Sequence, residues 1–395
     1  MKWFKFIVYL GLLFLLTGCW DRTELSNVSI VTGMAVDKGE SFKYRLTIET
    51  TEAREMSYQT AVGLAPSTVS SIEGNNIGEL TQKFNIINAT RPIYSHTRVL
   101  VLSEEIVREG LLEFMDFFDR NREIRGDFAI VIARGSNAGD ILKVNNMYKK
   151  SPSLKLFTQV NTMQKDWGGA PDVNLNDYTR ITNSYGQAPV LPAVKLVGDP
   201  KKGGNTENMK SIDPESEIVI DSMGVIKLGK LAGYTSLYEV RDMLFVQNKI
   251  KTTEITSSCN NGKGKIGYYI TNSKTNVIAK EINGTPNFHI KIKTEGNLDG
   301  TECYQNLSNP YAYKEFEESI NKKMEKEIKE FVQRTKEELN ADVFGLGEFL
   351  REQDYKHFKK YKDTWDDGYA KAKIHVSFNA EIKRAGLRKN RYILK

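Results

Sequence analysis

Cysteine is nearly absent: three residues in 395, at Cys19, Cys259 and Cys303. That excludes a disulfide-dense scaffold. With no Cys-x-x-Cys pair, a cysteine-clasped zinc site has no ligand set. Histidine is almost as scarce. His96, His289, His357 and His375 are the four, and no two stand four apart, which excludes a helical His-Glu-x-x-His zinc site. There is no Gly-x-Ser-x-Gly, so a nucleophile-elbow hydrolase has no support. Ten prolines and 30 glycines are too few for a collagen or a low-complexity linker protein. Past residue 16 there is no long uncharged apolar run, which excludes a multi-span membrane protein. Neither sign of charge dominates: 56 Lys+Arg against 50 Asp+Glu leaves +6, a weak surplus for a nucleic-acid partner. No window interleaves aromatics with arginine as a single-strand platform would. What remains is 40% hydrophobic and 27% charged, an ordinary globular composition with length for two or three domains.

The first nineteen residues are an address. Lys2 and Lys5 make a short positive region, and an unbroken apolar run follows from Ile7 through Leu16. That run is too short to span a bilayer, which takes about 20 helical residues, and has the length of a signal-peptide core. It ends in Leu16-Thr17-Gly18-Cys19, which resembles the lipobox of bacterial lipoproteins. The chemistry needs a thiol nucleophile at the membrane surface, with small residues before it to fit the peptidase. Cys19 is then the diacylglycerol-bearing mature N-terminus, and two chains suffice for stable attachment. Loss of residues 1–18 removes two lysines and lowers the charge from +6 to +4. The body is expected outside the cytoplasm, without nucleotide cofactors. An oxidising exterior permits a Cys259–Cys303 disulfide; two buried free thiols are the alternative.

The fold class expected is α+β: several mixed α/β units, with a long helix packed on a C-terminal sheet. Residues 1–18 are the signal peptide, 19–197 an N-terminal α/β domain, 198–216 a linker, 217–304 a β-rich middle domain and 305–395 a C-terminal α+β domain. In the first domain, strands are expected at 27–37 and 42–50 about a turn at 37–40. A polar loop over 57–75 follows. Ile77, Leu80, Phe84 and Ile87 form the stripe of a helix over 76–89. A strand at 99–102 leads to a helix capped by Ser103 and burying Ile106, Leu111, Phe114 and Phe118. A strand at 128–133, a helix from Ala138 and a strand at 189–197 close the domain. The second half opens with strands at 217–220 and 224–228 and continues at 267–271, 277–281 and 287–293, with a turn at 297–300. A helix capped by Asn309 with Pro310 first buries Phe316, Ile320, Met324, Ile328, Phe331 and Leu339, and Asn340 and Gly345 end it. A strand over 372–382 completes the chain.

The remaining candidates for chemistry are thin. Residues 224–231 match phosphate-loop spacing up to Lys230, but Leu231 stands where a hydroxyl must hold magnesium, and the stretch reads as a β-hairpin. Asp366 and Asp367 beside Trp365 suggest a sugar or cation site, but a polar helix end beside one anchored aromatic is the preferred reading. His289 and His375 fall on the polar faces of strands. No catalytic residue, metal or cofactor is indicated.

Several segments taken together resemble one family. They are Gly18-Cys19-Trp20-Asp21-Arg22-Thr23-Glu24-Leu25, the run Val31 to Lys38, Phe288 to Asn297, and Ala341-Asp342-Val343-Phe344-Gly345-Leu346-Gly347, with Trp365 and the close at Arg384-Ala385-Gly386-Leu387. In order and spacing the chain is similar to the Ger(x)C family of spore germination lipoproteins, the C subunits of nutrient germinant receptors. The resemblance implies three α/β domains and a non-enzymatic subunit on the outer face of the spore inner membrane. It also implies partnership with polytopic A and B subunits. Cys19 carries over as the acylated residue. Trp20, Asp21 and Arg22 carry over as the exit from the membrane surface. Asp342, Phe344 and Gly345 carry over as structural residues, with Gly345 and Gly347 ending the long helix and Phe344 packing beneath it. The competing reading is a solute-binding lipoprotein of a transporter, which would have two lobes and a hinge.

Overall fold

In the computed structural model the described residues are 27–51, 63–171, 173–259, 262–303 and 307–384, with the single positions 3, 56, 59 and 305. Cys19, Trp20, Asp21, Arg22 and Leu387 lie outside them. The mixed α/β architecture rests on two sheets. The first comprises β1 (Val28–Lys38), β2 (Tyr44–Thr51), β3 (Ser67–Gly74), β4 (Arg91–Ile93), β5 (Val99–Ser103), β6 (Ala129–Ala133), β7 (Val190–Gly198), β8 (Ser216–Lys227) and β9 (Lys230–Thr235). Its order is β3-β2-β1-β5-β6-β7-β8-β9, with the short β4 also beside β1. The centre, β1-β5-β6-β7, is parallel, and antiparallel strands form both wings. Every residue of β5 and β6 is buried, as parallel strands covered on both faces require.

Alternation along β5 divides the molecule. Leu100 and Leu102 join a cluster with Phe114, Phe118 and Phe128. Val99 and Val101 face the other way, into a cluster that continues through Val240 and Phe245 to Phe288, Phe344 and Phe378. One apolar core thus runs from the first sheet into the second, with helix Leu237–Val246 between them.

The second sheet has the order β10-β11-β12-β13, from β10 (Thr253–Ser258), β11 (Lys265–Ile282), β12 (Thr285–Thr301) and β13 (Lys373–Arg384). The last two pair in parallel, so a crossover must join them, and helix Pro310–Glu337 is its main element. Asn309 accepts the Tyr311 N–H, Pro310 is first, and Phe316, Ile320, Met324, Ile328 and Phe331 are buried, as the stripe predicts. A neighbouring row of this helix does something the stripe does not reveal. Glu317, Asn321 and Glu325 accept the backbone N–H groups of Ile382, Ala380 and Phe378 at 2.8, 2.8 and 3.1 Å. Four helical residues rise about 6 Å and two strand residues about 6.6 Å, so the row and the strand edge stay in step. An edge that would otherwise offer free donors is closed by side chains. Gln353 and Asp354 do the same for Ala279 and Glu281 of β11.

Several expectations give way to tertiary pairing. The polar loop over 57–75 contains β3, an edge strand in which only Val69 and Ile72 are apolar members. The first-domain helix after Ser103 is two helices, Glu104–Glu109 and Leu112–Arg120, because Gly110 takes φ +137°. Asn297 to Gly300 is not a turn; it continues β12, since β11 is long enough to pair with it and Leu298 is buried. Residues 216–235, expected to open the middle unit, are β8 and β9 of the first sheet. The 198–216 stretch holds two single-turn helices, Pro200–Gly203 and Thr206–Lys210, and that short return brings β8 back antiparallel on β7. Helices Pro152–Asp166, Leu175–Thr182 and Leu237–Val246 were not anticipated. Hydrophobic residues lie nearly all round the last of them, so it has no one-sided stripe to read.

Candidate functional site

The motif residues Asp342, Phe344 and Gly345 lie where the two sheets meet. The long helix stops at Glu337, and Asn340 takes a left-handed φ of +44°. The chain then runs through Asp342 into helix Leu346–Gln353. Asp342 is buried, and both its oxygens are occupied. Oδ1 accepts the N–H groups of Phe344 and Gly345 at 3.0 and 2.9 Å, and Oδ2 accepts the Gly347 N–H and the Trp365 indole N–H at 3.0 and 3.1 Å. Burial pushes its carboxyl up to about 7, with the four donors pulling the other way. The carboxylate caps the first turn of a helix, where free N–H groups and the helix dipole favour it, and it ties that turn to a tryptophan twenty-three residues on.

Gly345 therefore opens the second helix instead of closing the first. At φ +77° it is the residue before Leu346, a left-handed position that glycine occupies without steric cost. Gly347 is needed for space: a Cβ there would lie 2.6 Å from the Tyr185 carbonyl oxygen and 2.9 Å from the Trp365 ring. Phe344 does pack on the long helix, edge-on to Phe331 at 5.3 Å between centroids. The segment also gathers neighbours through its backbone. The Asp342 carbonyl accepts the Ala188 N–H at 2.8 Å, and the Val343 carbonyl accepts the Gln247 amide at 2.8 Å. Loop 183–189, helix Leu237–Val246 and the Trp365 helix are thus fastened to one turn.

Beside this knot opens a cleft of 790 Å³ between loop 182–189, the β8–β9 turn and residues 362–367. The phosphate-loop look-alike is that turn: β8 ends at Lys227, Leu228 and Gly229 take φ +48° and +76°, and β9 begins at Lys230. It is a hairpin, as read. Asp366 and Asp367 occupy the first turn of helix Trp365–Lys371. Asp366 pairs with Lys227 at 2.8 Å, and Lys227 also donates to the Asn340 carbonyl. The Trp365 ring itself is buried against Phe288, Phe358 and Tyr369. The cleft leaves apolar surface in water beside the exposed Asn183, Lys362, Asp363 and Asp367. Leu228 at the hairpin tip is 83% exposed, and Leu112 stands beside it, against Gly229.

Two further buried carboxylates use the same device, and the sequence reading missed both. Asp37 of β1 accepts the Ala138 and Gly139 N–H groups at 2.6 and 2.9 Å, at the start of helix Ala138–Ile141. Glu49 of β2 accepts the Ser151 hydroxyl at 2.6 Å and the Ser153 N–H at 3.0 Å, at the start of helix Pro152–Asp166. Burial raises both carboxyls, and the donors offset it in part. An acid inside a strand that otherwise alternates with apolar residues was the available signal for each.

Cys259 and Cys303 come together at a Cα separation of 5.8 Å, joined as a disulfide. His289 and His375 sit in register on β12 and β13 and stack at 4.9 Å, exposed. Among the described residues no group of three or more His, Cys, Asp or Glu is placed to hold a metal, and no helix is long and apolar enough to cross a membrane.

Comparison with known proteins assigns both halves. Residues 21–196 match the family described as spore germination protein N-terminal domain, and residues 221–386 match the spore germination B3/GerAC-like C-terminal family. The chain is 30% identical over 382 residues to spore germination protein KC of Bacillus subtilis (strain 168), covering 95% of this chain and 94% of that one. It is 26% identical over 384 residues to spore germination protein B3 of the same organism, covering 95% and 96%. A solved structure, that of the GerBC protein, superposes with a TM-score of 0.53 at 22% identity, covering 88% of this chain and 96% of that one; that likeness concerns the fold.

Proposed function

The chain belongs to the GerAC-like family of spore germination proteins, and on that premise we propose that it is the lipid-anchored C subunit of a nutrient germinant receptor. The observation that carries the reading is the pair of family matches, which between them span 21–196 and 221–386. In this reading Cys19 bears the diacylglycerol and holds the body on the outer face of the spore inner membrane. Its partners there are the polytopic A and B subunits.

Its work is contact, without turnover. The carboxylates at Asp342, Asp37 and Glu49 accept N–H and O–H groups of the fold itself, so they are framework. The exposed pair Leu228 and Leu112 at the cleft is the surface we assign to a membrane subunit. A large apolar side chain held at positive φ and left in water gains most when a partner covers it. The continuous core between the sheets supports this reading over a solute-binding lipoprotein, whose two lobes would have to hinge apart.

The test is a pull-down of the tagged full chain from detergent-solubilised spore inner membrane. The expected result is recovery of two polytopic proteins, reduced with Cys19→Ala and lost with Leu228→Asp at unchanged stability. Recovery of an ATP-driven transporter, or of no membrane protein, would overturn the proposal.

A further inference from the structure

The second sheet has one covered face and one bare face. Phe288, Ile290 and Ile292 of β12, with Val277 of β11 and Phe378 of β13, point into the core, so their alternate neighbours point to water. Those neighbours stand in register across three strands. Lys274 is beside Lys293, Asn276 beside Lys291, and Ile278 beside His289, which is beside His375. Lys280 and Lys373 flank Asn287 in the next row. The five lysines are exposed, and among the described residues none has an ion-pair or hydrogen-bond partner for its ammonium. The first carboxylates along that face, Glu295 and Glu381, come two residues past Lys293 and are shared with Lys383 at 3.3 and 2.5 Å.

Like charges directly opposite on a sheet are destabilising, and Lys274 and Lys293 are such a pair. The chain as a whole is nearly balanced in charge, so this half-face is a local concentration that calls for an anion from outside. Its cations are all lysine, a residue depleted at protein–protein interfaces, where arginine is enriched. Ile278 and Ile282, 45% and 48% exposed, stand among them on the same face. Basic and apolar groups on one open surface suit a charged bilayer. The tether is on the right side for it. β1, β5, β6 and β7 run parallel and start at one end of the first sheet, and Ala188, just ahead of β7, is bonded to Asp342 where the sheets meet. Val28 therefore enters the body at the end that meets the second sheet. We propose that the bare face of β11, β12 and β13 lies on an anionic lipid bilayer. The lysines take lipid phosphates, and Ile278 and Ile282 dip into the headgroup layer. The proposal goes beyond the receptor reading and shares with it only the membrane tether.

The test reconstitutes the full chain into vesicles of phosphatidylcholine alone, or of equal parts phosphatidylcholine and phosphatidylglycerol. Modification of each lysine by a neutral amine reagent is followed by mass spectrometry, with the exposed Lys201 and Lys322 as internal reference. On the anionic vesicles only, Lys280 and Lys373 should react about fivefold more slowly than the reference, the factor by which one lysine is held near an anionic surface. The slowing should vanish near 1 M salt, where screening acts within about 3 Å. The triple change Lys274→Glu, Lys291→Glu and Lys293→Glu, at exposed positions without partners, should restore the reference rate at an unchanged urea midpoint. The milder pair Lys291→Gln and Lys293→Gln should restore it in part. Flotation on phosphatidylcholine alone reports the tether separately; without a tether, the face should still float the chain on the anionic vesicles. Equal rates on the two vesicle types would overturn the proposal and leave an acidic protein as the partner of this face. So would slowing that survives high salt or both sets of substitutions.

Discussion

Asp342→Asn is nearly isosteric, yet it should be among the most damaging single changes in this chain. The aspartate accepts four N–H groups, from Phe344, Gly345, Gly347 and Trp365, at 2.9–3.1 Å. An asparagine offers one acceptor oxygen and one NH₂. Whichever way the amide turns, one pair of donors meets another donor. Two buried hydrogen bonds are lost at about 1–2 kcal/mol each, and the facing donors add to that, for a total of roughly 3 kcal/mol. Asp342→Ala orphans all four donors and should cost about 4–5 kcal/mol. Trp365→Phe keeps most of the buried ring and removes one donor, at about 1 kcal/mol. Urea unfolding of the chain from residue 20 onward, followed by far-UV circular dichroism, measures each. The double variant Asp342→Ala/Trp365→Phe should show a coupling of about 1 kcal/mol, because both changes remove the same bond. An Asp342→Asn cost below about 1 kcal/mol, or a coupling near zero, would refute the claim that this carboxylate is the fastening between helix Leu346–Gln353 and Trp365.

Three further outcomes are expected. Asp242 is buried with one oxygen unpartnered, facing Arg241, Glu327, Lys323 and Glu239, and burial pushes it up to about 8. The folded state therefore holds its proton more tightly than the unfolded chain does, and stability should fall as pH rises from about 4 to about 8; Asp242→Asn should flatten that slope and be the more stable form at pH 8 by about 1–3 kcal/mol, checked by urea midpoints across the range. Replacing Cys259 and Cys303 by serine opens a loop with a separation of 44 residues and should cost about 4 kcal/mol, measured by urea midpoint against the parent with and without reductant. The triple change Glu317→Ala, Asn321→Ala and Glu325→Ala frees three strand N–H groups. It should cost about 3 kcal/mol and promote association through the opened edge, seen by sedimentation velocity.

Much of the fold could be read from local pattern. The stripe of the long helix and its Asn309-Pro310 start hold, as do β1, β2, β5 and the β8–β9 hairpin. These elements carry their own signal: a repeat of three and four, an alternation of two, or a capping residue in place. The elements missed carry none. β3 is Ser-Thr-Val-Ser-Ser-Ile-Glu-Gly, a composition of loops, and it is a strand because β2 supplies its hydrogen bonds. Helix Leu237–Val246 is buried nearly all round, so its periodicity is erased. Gly345, expected at the end of one helix, is the start of the next, because a left-handed residue serves either boundary and only the direction of the following chain decides which.

The same division holds for function. By itself the sequence determined the ordered motifs, and with them the family, since short motifs in fixed order need no three-dimensional partner to be recognised. It also determined that no catalytic constellation is spelled out in consecutive residues. Only the tertiary structure decided what Asp342 does, because its partners Gly347 and Trp365 lie five and twenty-three residues away. It alone brought Asp37 to Ala138 and Glu49 to Ser151, across about a hundred residues of chain. It alone buried the Asn146 amide nitrogen and the Ser216 hydroxyl without a partner. Hydrogen-bond satisfaction is a property of the folded whole: whether a polar group is framework or site depends on what the rest of the chain has already offered it.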